Sequence, residues 1–166
     1  RDTEYGHSGV ARVSRGMSMD ELLQEEDVSL RCQNARIAAE ELNEIISKKV
    51  EVRDRLAILR MDGTGQRTNG YAVTAFVGED CDACCIVHGW VEGSINTPEK
   101  PALSTSFYSN SFLHPKGGIF DLTRMATLYD ETGGGHKNAC GCRVQALSNS
   151  GHKEKRPVEL EDVERN

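Results

Sequence analysis

Three consecutive glycines, Gly133-Gly134-Gly135, restrict what this chain can fold into more than any other feature of it. They remove every Cβ from one turn of backbone. The chain there is free to take φ > 0, and another group can approach the amides closely. Consecutive amide N–H groups in such a turn can form an anion-binding concavity. A helical turn beginning at His136 would aim its unpaired N–H groups at the same place. His136, Lys137 and Asn138 add a titratable donor, a fixed cation and an orienting amide. Taken as composition alone, a glycine-rich stop at the end of a helix is the plainer reading.

The hydrophobic pattern changes along the chain. Residues 1–17 show no periodicity and read as a mobile lead-in. Ser18 to Glu21 is a capping-box pattern, a hydroxyl followed three residues on by a carboxylate, and predicts a short helix over Met19 to Glu26. A longer helix is expected from Leu30 to Lys49. Its apolar stripe is Ala35, Ala38, Ala39, Leu42, Ile45 and Ile46, and Lys48 and Lys49 suit its negative end. Arg55 to Met61, Tyr71 to Val77 and Cys84 to Val91 have the length and apolar content of strands. Ala102 to Tyr108 alternates with period two, as a half-buried strand does. Turn signals stand at Asp62-Gly63 and Asn69-Gly70, and Thr97 to Pro101 reads as a loop. After the break at Pro115 to Gly118, Leu122, Met125, Ala126 and Tyr129 fall at helical spacing within Phe120 to Tyr129. Cys142 to Leu147 reads as a last strand, and from Ser148 onward the polar tail is expected to fray.

Composition narrows the function. At 166 residues and net charge −6, the chain cannot hold a long nucleic-acid duplex by bulk electrostatics, because each phosphate contact needs a local cation. A basic pocket for a short anion remains compatible with that charge. No apolar run reaches the length of a membrane span and no apolar signal core is present, so a cytoplasmic location is expected.

The six cysteines, Cys32, Cys81, Cys84, Cys85, Cys140 and Cys142, read as reduced thiols, several of them small hydrophobes in strands. Cys81-x-x-Cys84 with Cys140 and Cys142 has enough thiolates for a zinc site, but Cys84 and Cys85 adjoin Ile86-Val87 as in a buried strand. A thiol-redox role would need the pair at a helix start, and it falls near a strand start. His88 is expected to be a partly buried strand histidine, His114 solvent-exposed, and His152 part of the tail. Trp90 and Tyr108 could stack a base, although packing is the commoner fate of such rings. The acidic run Glu159 to Glu164 reads as a solvated face, and Asp80-Cys81-Asp82 as a solvated turn.

The string from Gly133 to Gly141, GGGHKNACG, closely resembles the signature of the DHH-associated domain, which follows the catalytic domain in DHH phosphoesterases. That signature is GGGH, then Lys or Arg, Asn-Ala, a small residue and Gly; Cys140 stands in the small-residue position. Ile119 to Ala126 resembles the helix leading into it. Leu103 to Ser109 occupies the place of the family's strand bearing a substrate-binding Arg, and has Tyr108-Ser109 where Arg-Ser is usual. The resemblance spans about Ala57 to Leu147.

This resemblance implies a hydrolase whose upstream catalytic domain holds divalent metals, Mn2+ or Mg2+, through motifs that include Asp-His-His. The associated domain then closes on a phosphorylated nucleotide, short single-stranded oligonucleotide or polyphosphate. No Asp-His-His occurs here, so the isolated chain is expected to lack metals and turnover. The implied substrate contacts are Gly133, Gly134, Gly135, His136, Lys137 and Asn138 in the loop, with Ser106 and Tyr108 on the strand. Arg124 is a candidate for the missing cation, and His136 a candidate proton donor. The expected fold is α/β: a mixed sheet of about five strands with flanking helices. The domain plan is a lead-in and linker helix over 1–50, a substrate-binding domain over 51–150, and a charged tail over 151–166. A homodimer is a further expectation. A ligand-sensing or interaction module that kept the loop is the competing function.

Overall fold

The computed structural model describes residues 3–62, 64, 66–88, 104–159 and 161–162. Trp90 and the expected loop from Thr97 to Pro101 lie outside them. The chain divides into two units, Arg1–Glu44 and Ile45–Asn166.

The first unit is helical. Residues 1–17 are not a structureless lead-in, because Thr3–Ser14 forms helix α1. Arg12 near its end pairs with Glu25 at 3.5 Å and Asp27 at 3.6 Å, tying α1 to the helices that follow. Helix α2, Met19–Gln24, has the expected capping box: the Ser18 hydroxyl accepts from the Glu21 amide, and the Glu21 carboxylate accepts from the Ser18 amide. Helix α3 is longer than expected and runs Glu26–Lys49. Ala35, Ala38 and Ala39 of its stripe are exposed, whereas Leu42, Ile45 and Ile46 are at least partly covered and Ile46 is fully buried.

Among its described residues the second unit holds a mixed sheet of six strands in the order β1-β2-β3-β4-β6-β5. The strands are β1 Val50–Arg53, β2 Leu56–Arg60, β3 Ala83–His88, β4 Ser104–Ser109, β5 Gly134–His136 and β6 Ala139–Arg143. Only β2 and β3 run parallel; every other neighbour is antiparallel. Helix α4, Gly70–Val77, bridges β2 and β3, and helix α5, Thr123–Tyr129, precedes β5.

The segment Tyr71 to Val77, read as a strand from its apolar content, is therefore helical. A parallel pair needs a crossover, and the usual crossover is a helix. The local chemistry agrees: the Asn69 side chain caps the helix by accepting from the Ala72 amide at 3.1 Å. The residues that bury are Gly70, Val73 and Thr74, at helical spacing, while Tyr71 and Phe76 face solvent. Helix α5 starts at Thr123 rather than Phe120; Phe120 is exposed and Leu122 is buried. The last strand begins earlier than expected and ends at Arg143.

The two helices that pack on the sheet take opposite faces and opposite halves. Alternation and register put Ala57, Leu59, Cys84, Ile86, His88, Ser106, Tyr108, Ala139 and Gly141 on one face. Helix α4 packs there, over β2, β3 and β4. Phe107, Cys140 and Cys142 lie on the other face, clustered with Leu122 and Ala126 of α5. The apolar end of β4 is thus buried on the α5 side and half-open on the α4 side.

The carboxy-terminal tail is ordered, against expectation, as far as it is described. Asp162 is fully buried and accepts from Arg156 at 2.7 and 2.8 Å, and from the amides of Leu147 and Glu159 at 2.9 and 2.8 Å. The acidic run is not uniformly solvated, because one of its carboxylates, Asp162, is the anchor that ties Leu147, Arg156 and Glu159 together.

Candidate functional site

Asp130 sets the entry to the glycine segment. Its Oδ1 accepts from the Thr132 amide at 2.9 Å and hydroxyl at 2.8 Å, and its Oδ2 accepts from the Arg143 amide at 3.0 Å. Burial pushes this carboxyl up, but the hydrogen bonds from Thr132 and Arg143 outweigh it and leave the group below the ordinary carboxylate range. The Asp130 carbonyl also accepts from Gly133 N–H at 2.7 Å. One amide of the triplet is therefore used internally and is not directed at a ligand.

The other two glycines are strand residues. No helical turn begins at His136. Instead Gly134–His136 forms β5, which returns through Lys137-Asn138 to pair with β6 in the register Gly134 to Gly141, Gly135 to Cys140 and His136 to Ala139. Strand β5 is the sheet's edge. In an antiparallel ladder alternate residues turn both N–H and C=O away from the partner strand. The free side of β5 thus carries backbone groups with no strand partner among the described residues, and Gly134, Gly135 and His136 are all exposed.

Asn138 supports the hairpin from within. Its Oδ1 accepts from the Gly118 amide at 2.8 Å, and its carbonyl accepts from the Ser109 amide at 3.0 Å. The Lys137 carbonyl accepts from the Leu122 amide at 2.9 Å. These bonds tie the hairpin to β4 and to the start of α5, and leave the Lys137 side chain exposed.

By register, His136, Ala139, Gly141, Ser106 and Tyr108 share the α4 face. Ser106 and Tyr108 are half-buried there. Tyr108 lies against Gly70 at the start of α4, where a Cβ would meet the Tyr108 ring and Cβ at 2.0–2.4 Å. It also contacts the Tyr71 ring at 6.1 Å between centroids. Ser106 Oγ is 3.0 Å from His88 Nε2. A shallow hollow of about 220 Å³ joins Ser106 to Gly133, lined also by Gly141, Thr132 and Arg143.

Arg124 does not reach this group. It sits on the exposed side of α5, whose inward face packs on the opposite surface of the sheet. The cation beside the hollow is Arg143, which sequence reasoning missed. The available signal was period two within β6: Arg143 is two residues beyond Gly141 and so shares its face. A larger hollow, about 730 Å³, lies where β1, β2 and β3 are left uncovered by α5; Ile58, Val87 and Tyr129 line it, and Arg53 and Arg143 are among its cations.

Among the described residues, no group of three or more His, Cys, Asp or Glu side chains could hold a metal ion. Asp82 is not a solvated turn residue. Its carboxylate accepts from Arg55 at 2.7 and 2.9 Å and from His114 at 2.9 Å, and these hydrogen bonds hold it well below the usual carboxylate range. His114 is correspondingly half-buried rather than exposed. The cysteines are free thiols. Burial pushes Cys84 and Cys85 up to about 12 and Cys142 up to about 11, far from the range of a reactive thiolate. Among the described residues no helix is long and apolar enough to cross a membrane.

No family model matches the chain, and no curated protein matches it by sequence. Solved structures do. The chain is similar to the pGpG-specific phosphodiesterase PggH from Vibrio cholerae, with a TM-score of 0.65 and 20% identity over 90% of this chain and 43% of that one. A more distant likeness is to an exopolyphosphatase-related protein from Bacteroides fragilis, with a TM-score of 0.46 and 17% identity over 92% of this chain and 38% of that one. The chain spans less than half the length of either. The likeness to the phosphodiesterase establishes a shared α/β fold over nearly all of this chain.

Proposed function

We propose that this chain is the ligand-gripping half of a metal-dependent phosphoesterase of the DHH type, acting on nucleotides or short single-stranded oligonucleotides. The observation that carries the reading is the edge hairpin Gly134–Arg143. It sets the exposed backbone of Gly134 and the side chain of His136 on the face that carries Ser106, and Arg143 lines the neighbouring hollow with Ser106, Gly133 and Gly141. Edge amides and a serine hydroxyl donate hydrogen bonds to phosphate oxygens, and an arginine adds a fixed charge with forked geometry. Tyr108, half-buried on the same face, offers a ring edge to a base or sugar. The fold shared with part of a phosphodiesterase supports the same reading.

The described residues do not fit a metal site, since Asp82 is engaged by Arg55 and His114. The hydrolytic chemistry belongs in this reading to a separate catalytic domain, with Mn2+ or Mg2+. The work of this chain is to bind and orient. In this reading His136, exposed on the same face, donates to, or protonates, a phosphate oxygen.

Calorimetric titration of the 166-residue chain with adenosine monophosphate, the linear dinucleotide pGpG and short polyphosphate tests the proposal. Nucleotide binding that is lost in Arg143→Ala and His136→Ala is the expected result. Restored hydrolysis on adding a DHH catalytic half in trans would extend it to the enzyme. Binding of polyphosphate but no nucleotide would move the substrate class. No binding of any anion, with intact fold, would leave only an interaction module.

A further inference from the structure

On the half-buried face of the sheet, Ser106 of the proposed grip is paired with a residue that has no part in it. His88, at the end of β3, is 8% exposed, and its Nε2 lies 3.0 Å from Ser106 Oγ. Its other nitrogen, Nδ1, is buried and has no hydrogen-bond partner among the described residues. Register puts both residues on the face that carries Gly141 and His136.

A neutral imidazole has one N–H and one bare nitrogen. Burial lowers the affinity of His88 for a second proton, and the charge of Arg67 acts in the same direction. The single proton must therefore choose between Nδ1 and Nε2. On Nδ1 it would be a buried donor with no acceptor among the described residues. On Nε2 it has Ser106 Oγ within reach. Orphaned buried donors are rarer than under-satisfied acceptors, so the second arrangement is favoured. Ser106 Oγ then accepts from the ring, and its own O–H must turn elsewhere. The open side is the hollow shared with Gly133, Gly141 and Arg143.

Resting on the proposed grip, we infer that His88 is a positioning residue that fixes Ser106 as a hydrogen-bond donor, selecting ligands that present an acceptor oxygen, such as a phosphoryl group, at that point. A hydroxyl free to rotate offers a ligand its O–H or either lone pair; one that already accepts from His88 has one lone pair engaged and its O–H turned to the hollow, which favours ligand acceptors over donors. His88 need not touch the ligand.

Two measurements on the full chain test this. Long-range nitrogen–proton NMR of the free protein reads the tautomer directly: the inference expects a bare Nδ1 and a protonated Nε2. A proton on Nδ1 overturns it, whatever the protein binds. Titration with adenosine monophosphate then compares variants. Ser106→Ala and His88→Leu are expected to weaken binding by about three- to tenfold, the range of one hydrogen bond to a ligand. His88→Gln, whose amide can donate from nearly the same place as Nε2, restores most of it, and this rescue separates the role from mere support of the fold. Unchanged binding in Ser106→Ala, while His136→Ala and Arg143→Ala lose it, sinks this inference and leaves the grip standing. If His136→Ala and Arg143→Ala also bind normally, the grip itself is wrong.

Discussion

The glycine triplet reads as uniform in sequence, yet the structure separates its members, and alanine substitution at each should show it. At Gly135 the backbone has φ 139°, and an added Cβ would lie 2.6 Å from the Ala139 carbonyl oxygen and 2.8 Å from Cys140 Cα. Both are backbone atoms of the paired strand and cannot rotate away. Positive φ costs a residue with a Cβ about 1–2 kcal/mol, and overpacking that moves backbone adds about 1–3 kcal/mol. Gly135→Ala should therefore lose about 2–5 kcal/mol by these two contributions, or open the β5–β6 hairpin. At Gly134 nothing lies within 4 Å of the added Cβ and φ is ordinary. Gly134→Ala should change stability by less than about 1 kcal/mol, with a gain expected from the stiffer unfolded chain. Its methyl would nevertheless stand on the face shared with Gly141 and Ser106, where a ligand would approach. Urea unfolding followed by circular dichroism measures the first effect, and titration with adenosine monophosphate the second. The expected pattern is a stable Gly134→Ala with weakened binding, and a destabilised Gly135→Ala. Equal stability losses at the two positions would refute the hairpin geometry. Full binding by Gly134→Ala would refute close approach of a ligand to that backbone.

Other consequences follow from the same structure. Gly133→Ala should be destabilising too, since its Cβ would meet the Ala126 and Asp130 carbonyl oxygens at 2.6 and 2.9 Å; a thermal melt checks this. Asp82 titrates below its unfolded value of about 3.9, so the stability from its contacts with Arg55 and His114 is present above that pH and is lost as the pH falls toward the folded value. Asp82→Asn should accordingly flatten the acid limb of the stability–pH profile; an unaltered limb would show that the pair contributes nothing. With iodoacetamide at pH 8, half-exposed Cys32 should react first, and buried Cys84 should react only on unfolding, as mass mapping of labelled peptides would show. Removing residues 155–166 deprives the Leu147 amide of its Asp162 acceptor and should lower the melting temperature, with little loss of nucleotide binding.

Local signals were sufficient where one short segment contains both partners of an interaction. The capping box at Ser18 and Glu21 is such a case, as are the alternation of β4 and the helical spacing of Leu122, Met125, Ala126 and Tyr129. Strand β1 escaped because its hairpin turn is Asp54-Arg55. Asp suits the first position of such a turn, but Arg55 stands where Gly is usual, and the two take φ 46° and 65°. What holds them is distant: the Arg55 side chain and carbonyl engage Asp82. Tyr71 to Val77 escaped for a similar reason, since short apolar runs suit either strand or helix until the parallel pairing of β2 and β3 demands a crossover.

The residue types of the candidate site were legible in the sequence: glycines without Cβ, a histidine, a serine and a ring. Their arrangement was not. A local turn gives the Gly133 amide to the Asp130 carbonyl, and pairing across β4, β6 and β5 decided that Gly134 to His136 form an edge. The same pairing set Arg143, and not Arg124, beside Ser106. Backbone freedom is a property of each residue and can be read one position at a time. Which amides stay unpaired, and which charge stands near them, depends on contacts between segments far apart in the chain, and only the folded sheet brings those together.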